Sequence, residues 1–237
     1  MRKTLCLIPV PLDEESPISF NLAQDAVDII RDMKYFIVEN EKTARAFLKK
    51  LGISTAQKDL TILTYNKKER LPFKEYFKLF EHTDRIGLMS EAGCPGIADP
   101  GAEIVAEAHK KGYFIQAFVG PSSILLSLMS SGFNGQNFAF VGYIPIDKAD
   151  RLKRIGDLER SVEKFNQTQL FIETPFRNNH LFDDIVHVCK DTTLLCIAAG
   201  ITSKNEFIKT MTIADWKKNK PELHKIPCIF ILGKFNN

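Results

Sequence analysis

Short apolar runs alternate along this chain with longer segments whose apolar residues recur every three or four positions. Thr4–Ile8, Tyr35–Val38, Leu60–Leu63, Arg85–Met89 and Tyr113–Phe118 have the length and composition of strands. Between them, Leu22, Ala26, Ile29 and Ile30 keep helical spacing, with Asn21 as the expected cap. Thr43–Leu51 predicts a helix stopped by Gly52, Phe73–Phe80 a helix with an aromatic face, and Ala102–Lys111 a helix ended by Gly112. This rhythm predicts an α/β layer around a largely parallel sheet.

The pattern breaks at Val119-Gly120-Pro121. Beyond it, Ser122–Ser131 predicts a small-residue helix, Phe138–Val141 a strand and Asp147–Phe165 a charged helix. Leu170–Glu173 predicts a strand, Asn178–Cys189 a helix and Thr193–Ala199 a strand. Glu206–Thr212 and Ile226–Leu232 predict strands around a short helix at Ala214–Lys218. The later part is richer in strand and is expected to pair more antiparallel. The chain therefore parses as two α/β domains, residues 1–118 with a mostly parallel sheet and residues 119–237 with a mixed one.

Composition narrows the class. Of 237 residues, 44% are hydrophobic and 26% charged, which excludes disordered, collagenous and coiled-coil chains. The net charge of +3 is too mild for a dedicated nucleic-acid coat, and the whole excess falls after residue 120. Cys6, Cys94, Cys189, Cys196 and Cys228 form no C-x-x-C pair, so a disulfide framework and a structural zinc site are disfavoured. A reducing, cytoplasmic setting fits. Arg2 and Lys3 precede a short apolar stretch broken by Pro9 and Pro11, which predicts a first strand rather than a signal peptide. No apolar run reaches the ~18 residues of a membrane span. His82, His109, His180, His187 and His224 show no metal-ligand spacing, and no metal is expected.

Three loops carry candidate chemistry. The first runs Ser90-Glu91-Ala92-Gly93-Cys94-Pro95-Gly96-Ile97-Ala98-Asp99-Pro100-Gly101, between a strand and a helix. Open α/β sheets bind ligands at the carboxyl ends of their strands, and glycines let a ligand approach the backbone. The loop fits neither a GxGxxG turn nor a triphosphate-cradling loop; read from composition, it is equally a stiff connecting turn. The second, Gly120-Pro121-Ser122-Ser123, opens a helix whose first N–H groups can be capped by Ser122 or meet a polar ligand. The third, Glu173-Thr174-Pro175-Phe176-Arg177, follows a strand and places a carboxylate and a guanidinium together.

Glu91–Gly101, Gly120–Ser123, Ser131-Gly132-Phe133, Phe140–Pro145 and Phe171–Arg177, in this order, resemble the tetrapyrrole methylase superfamily of S-adenosylmethionine (SAM)-dependent methyltransferases. Within it, the likeness is closest to the ribosomal small-subunit RNA cytidine 2′-O-methyltransferase I family. The resemblance implies two α/β domains with SAM in a cleft between them, usually in a homodimer, with S-adenosylhomocysteine as the product. It places Pro9, Pro11 and Leu12 at the cleft. It places Ala92, Gly93, Cys94 and Ile97 beside the methionine part, and Ser122 and Ser123 at its polar end. Thr174, Ala199, Pro227 and Cys228 fall on the adenosine side. The sequence departs from the RNA-modifying pattern at Leu12-Asp13-Glu14, at Glu39-Asn40-Glu41-Lys42 and at Ala199–Lys204.

A ribose hydroxyl is weakly acidic, so its methylation is helped by a base or by a cation beside the developing alkoxide. Glu39, Glu91 and Glu173 are the candidate carboxylates, and Arg177 and Lys204 the candidate cations. Lys148, Arg151, Lys153 and Arg154, with Lys217, Lys218 and Lys220, can hold RNA phosphates or simply form solvated faces. Three readings stay open: a SAM-dependent methyltransferase of ribosomal RNA, one of a small tetrapyrrole-like metabolite, and a non-catalytic SAM-binding module.

Overall fold

The structure is a computed structural model; it describes residues 2–66, 68 and 70–235. Contacts divide the chain into two compact units, Met1–Ser122 and Ser123–Asn237.

The first unit contains β1 (Thr4–Leu7), α1 (Ile18–Asn21), α2 (Gln24–Arg31), β2 (Tyr35–Val38), α3 (Glu41–Leu51), β3 (Thr61–Thr64), α4 (Phe73–Phe77), β4 (Arg85–Met89), α5 (Ala102–Lys110) and β5 (Phe114–Ala117). Its strands form one sheet in the order β3-β2-β4-β1-β5, with every pair parallel. Adjacent residues on a strand face opposite sides, and both sides are covered here. Cys6, Ile8, Phe36 and Val38 pack with Val27, Ile30, Phe47 and Leu48 of α2 and α3. Leu5, Ile37, Ile86 and Leu88 pack with Tyr76, Phe77, Ile104 and Ala108 of α4 and α5. Burial on both faces is why these strands read as unbroken apolar runs.

Local signals set the helix ends. The Asn40 side chain accepts from the N–H groups of Lys42 and Thr43 and caps α3, which Gly52 ends in the left-handed conformation. Asn21 does not cap α2, contrary to expectation. It is the last residue of α1, buried, and donates to Ser16 Oγ at 2.8 Å and the Pro17 carbonyl at 2.7 Å. The N-cap of α2 is Ala23, with no side-chain cap. The aromatic helix is shorter than its pattern, passing after Phe77 into a 3₁₀ turn over Lys78–Glu81.

The second unit contains α6 (Ser123–Ser131), β6 (Phe138–Tyr143), α7 (Lys148–Phe165), β7 (Thr168–Ile172), α8 (Asn178–Val188), β8 (Leu194–Ala199), β9 (Phe207–Thr212), α9 (Ile213–Lys218) and β10 (Cys228–Gly233). Its sheet runs β6-β7-β10-β8-β9; β6 and β7 are parallel and the other pairs antiparallel. The core joins Ile155, Leu158 and Val162 of α7 and Leu181, Phe182 and Ile185 of α8 to Phe171, Ile197 and Phe230 of the sheet. Trp216 is buried and donates its indole N–H to the Leu195 carbonyl at 2.9 Å, tying α9 to β8. Among the described residues, no helix is long and apolar enough to cross a membrane.

Candidate functional site

In an all-parallel sheet, every strand ends on the same edge. The loops after β2, β4, β1 and β5 therefore leave the first unit in lateral order, carrying Glu39, Glu91–Ile97, Pro9–Leu12 and Gly120–Ser122. Direct bonds link them. The N–H and carbonyl of Val10 exchange two 2.9 Å hydrogen bonds with those of Gly93. The Cys94 thiol donates to the Pro121 carbonyl at 3.4 Å. The Glu91 N–H donates to Glu39 Oε2 at 3.1 Å, so one carboxylate bridges two strand ends.

Two glycines make this packing feasible. Gly93 has φ of +67°, and a Cβ there would lie 3.3 Å from Leu12 Cδ2. At Gly120 a Cβ would fall 2.3 Å from Pro9 Cβ, which no neighbour shift of ordinary size relieves. Pro9, Pro11, Gly93 and Pro95 are buried, whereas Glu91, Ala92 and Ile97 are exposed. The result is a stiff, internally bonded rim of glycines and prolines, flanked by the exposed Glu91, Ala92 and Ile97. The Cys94 thiol is half-buried, and burial raises its pKa above the ordinary value.

In the second unit, the ends of β7 and β8 and the start of β10 share one edge, because Ile229 pairs with Ile172 and Cys228 with Ala199. Thr174, Ala199, Pro227 and Cys228 all sit there. Glu173 is buried; its Oε1 accepts from Arg177 Nη2 at 2.5 Å and from the Thr174 N–H at 2.6 Å. Both bonds fall on Oε1, so Glu173 is placed to orient Arg177. Arg177 Nε is buried with no partner. Lys204 is exposed in the turn between β8 and β9. Cys228 is buried and donates to the Ile226 carbonyl at 3.2 Å; burial lifts its thiol to about 12. Ser122 precedes α6, and Ser123 is its first residue.

Not every expected phosphate ligand is available. Arg151 Nε pairs with Asp184 at 2.6 Å, with both side chains largely buried, and its Nη1 donates to the Ile146 carbonyl at 2.6 Å. It braces α7 against α8. Lys217 pairs with Asp191 at 2.5 Å and Lys220 with Asp183 at 2.6 Å. Among the described residues, no group of three His, Cys, Asp or Glu side chains is placed to hold a metal.

Sequence reasoning missed Asn178 and Asn179. Asn178 is fully buried, donates to the Ile226 carbonyl at 2.6 Å and leaves its Oδ1 without a partner. Asn179 donates to Glu222 at 2.7 Å and accepts from the Leu223 N–H at 2.9 Å. Together they stitch the start of α8 to the strap leading into β10. Two asparagines opening a helix read as caps, and nothing in their spacing points to a strap many residues later.

No family model matches the chain. It is 27% identical over 199 residues to the ribosomal RNA small subunit methyltransferase I of Thermotoga maritima, covering 83% of this chain and 86% of that one. It is 24% identical over 236 residues to the protein of that name from Buchnera aphidicola subsp. Baizongia pistaciae, covering 98% and 77%. It is 26% identical over 211 residues to the one from Vibrio cholerae, covering 89% and 69%. Among solved structures, the methyltransferase CobJ superposes with a TM-score of 0.61 over 98% of this chain and 93% of that one, at 14% identity.

Proposed function

We propose that the chain is a tetrapyrrole methylase-like methyltransferase that transfers the methyl group of SAM to a ribose 2′-hydroxyl of small-subunit ribosomal RNA. The observation that carries this reading is the match, across nearly the full chain, to relatives named for small-subunit ribosomal RNA methylation. The same reading has the chain act as a cytoplasmic homodimer.

The residues present suit such a donor. At this rim Gly93 carries no side chain where a Cβ would press on Leu12 at 3.3 Å, and the exposed Ala92 stands beside it. Ile97, Pro11, Leu12, Ser122 and Ser123 complete the donor contacts on this reading. Thr174, Ala199, Pro227 and Cys228 are assigned to the adenosine moiety. When bound, SAM supplies an electrophilic methyl on a positively charged sulfur.

The chain's own work is then alignment, exclusion of water and handling of one proton. Glu91, exposed at its strand end, is the group proposed to take the ribose hydroxyl proton. Glu39 holds the Glu91 backbone through its 3.1 Å bond, which makes it a positioning residue. Arg177, fixed by Glu173, is a cation oriented before substrate arrives, and such preorganisation stabilises developing negative charge without reorganisation. Lys204 supplies a further cation.

The test is a modification map of ribosomal RNA from a strain lacking the gene. One 2′-O-methyl group of the small subunit should vanish and return on complementation. An unchanged map across every RNA class would overturn the proposal.

A further inference from the structure

The second unit contains a cavity of about 470 Å³ that shares only Ala199 with the residues assigned above to the methyl donor. Small-molecule sites fall in the range of ~300–1,000 Å³. One wall is the outer strand β9, whose Phe207, Lys209 and Met211 alternate onto the cavity side. Trp216 lies at the cavity, and the strap holding Asn219, Lys220, Glu222 and Ile226 lines another side.

This strap is anchored before any ligand arrives. Asn179 holds Glu222 and the Leu223 N–H, Asn178 holds the Ile226 carbonyl, and the Lys225 N–H donates to the Pro175 carbonyl at 3.0 Å. Glu222 also accepts from the His224 N–H, so its carboxylate is engaged in the wall. Bonds from Asn179 and His224 hold its pKa below the ordinary range.

The lining is amphipathic in a particular way. Phe207 is 38% exposed and offers an aromatic surface, with Met211 beyond it. Lys209 is exposed and forms no ion pair among the described residues. Asn205 and Asn219 bring side-chain amides, which can both donate and accept. An aromatic platform, amides and an uncommitted cation are the parts that hold an unpaired base and its phosphate. Ala199, at the strand end assigned above to the adenosine moiety, is also a lining residue.

We infer that this cavity takes one unpaired nucleotide of the RNA substrate, with the base against Phe207 and Met211 and the phosphate on Lys209. The inference rests on the RNA methyltransferase reading and adds a subsite to it.

Trp216 is the chain's single tryptophan and lies edge-on to Phe207, so its emission reports a change at this wall of the cavity. The full chain is titrated with a short single-stranded oligocytidylate while tryptophan emission is followed. Saturable change is expected, weakening as salt rises. Lys209→Gln should weaken binding about five-fold and lower the log–log salt slope by about 1, and it should raise KM for the RNA with KM for SAM unchanged. Phe207→Leu should weaken binding with the salt slope kept. Silent tryptophan emission, or wild-type binding and RNA KM in both variants, would overturn the inference even where the wild-type chain methylates RNA. If the wild-type chain methylates no RNA, the reading beneath it falls as well.

Discussion

Val10 and Gly93 face each other as an isolated antiparallel pair, each N–H bonded to the other's carbonyl at 2.9 Å. Their parent strands, β1 and β4, run parallel, so this pair forms where the two exit loops turn toward one another. It holds the most distinctive loop of the sequence against the first strand's exit. Gly93 adopts a left-handed φ, which costs a non-glycine residue about 1–2 kcal/mol. Gly93→Val should therefore lose SAM binding by calorimetry while the fold, by circular dichroism, is retained.

Gly120→Ala tests the same rim by volume rather than by dihedral. The new methyl would meet Pro9 Cβ at 2.3 Å and Pro9 Cγ at 2.6 Å. Overpacking of this kind costs about 1–3 kcal/mol. Thermal unfolding should show a lowered Tm, and the variant should bind SAM more weakly than its stability loss alone explains.

Arg177→Ala strips the buried Glu173 carboxylate of its charged donor. A lost hydrogen bond to a charged buried group costs about 1.5–3 kcal/mol, and urea titration should show a loss on that order. Glu173→Gln combined with Arg177→Ala should recover part of it, because the uncompensated charge is gone. Neither the double variant nor Arg177→Ala should methylate at the wild-type rate.

The thiols predict a pH dependence. Burial raises Cys6 and Cys196 from 9.0 to about 11 and Cys228 to about 12, and it raises Cys189 as well. A group whose folded pKa exceeds its unfolded value stabilises fully below the unfolded value, and that contribution is lost as pH rises toward the folded one. Denaturant stability should thus hold below pH 9 and fall progressively toward pH 11–12. At pH 8 an alkylating reagent should label half-buried Cys94 first and the other four only on unfolding.

The alternation of strand and helix was legible because each sheet buries apolar residues in a regular period, and the parallel sheet buries them on both faces. Tyr35–Val38 and Arg85–Met89 were readable to the residue for that reason. Asn21 was misread because a cap and a buried turn asparagine look alike in sequence; the choice is made by Ser16 and Pro17, which it binds. The loop at Glu91–Gly101 was legible through its glycines and prolines, which record backbone constraint directly. Arg151 was not, since its buried partner Asp184 lies on another helix. Nor were the strap contacts of Asn178 and Asn179, which depend on tertiary placement alone.

The most direct test of the account supplies the purified chain with methyl-labelled SAM and small ribosomal subunits from a strain lacking the gene. The RNA is then digested to nucleosides. The account predicts label in a single 2′-O-methylnucleoside of the small-subunit RNA and its loss with Gly93→Val. Label on a base, or label only in a metabolite fraction, would contradict it.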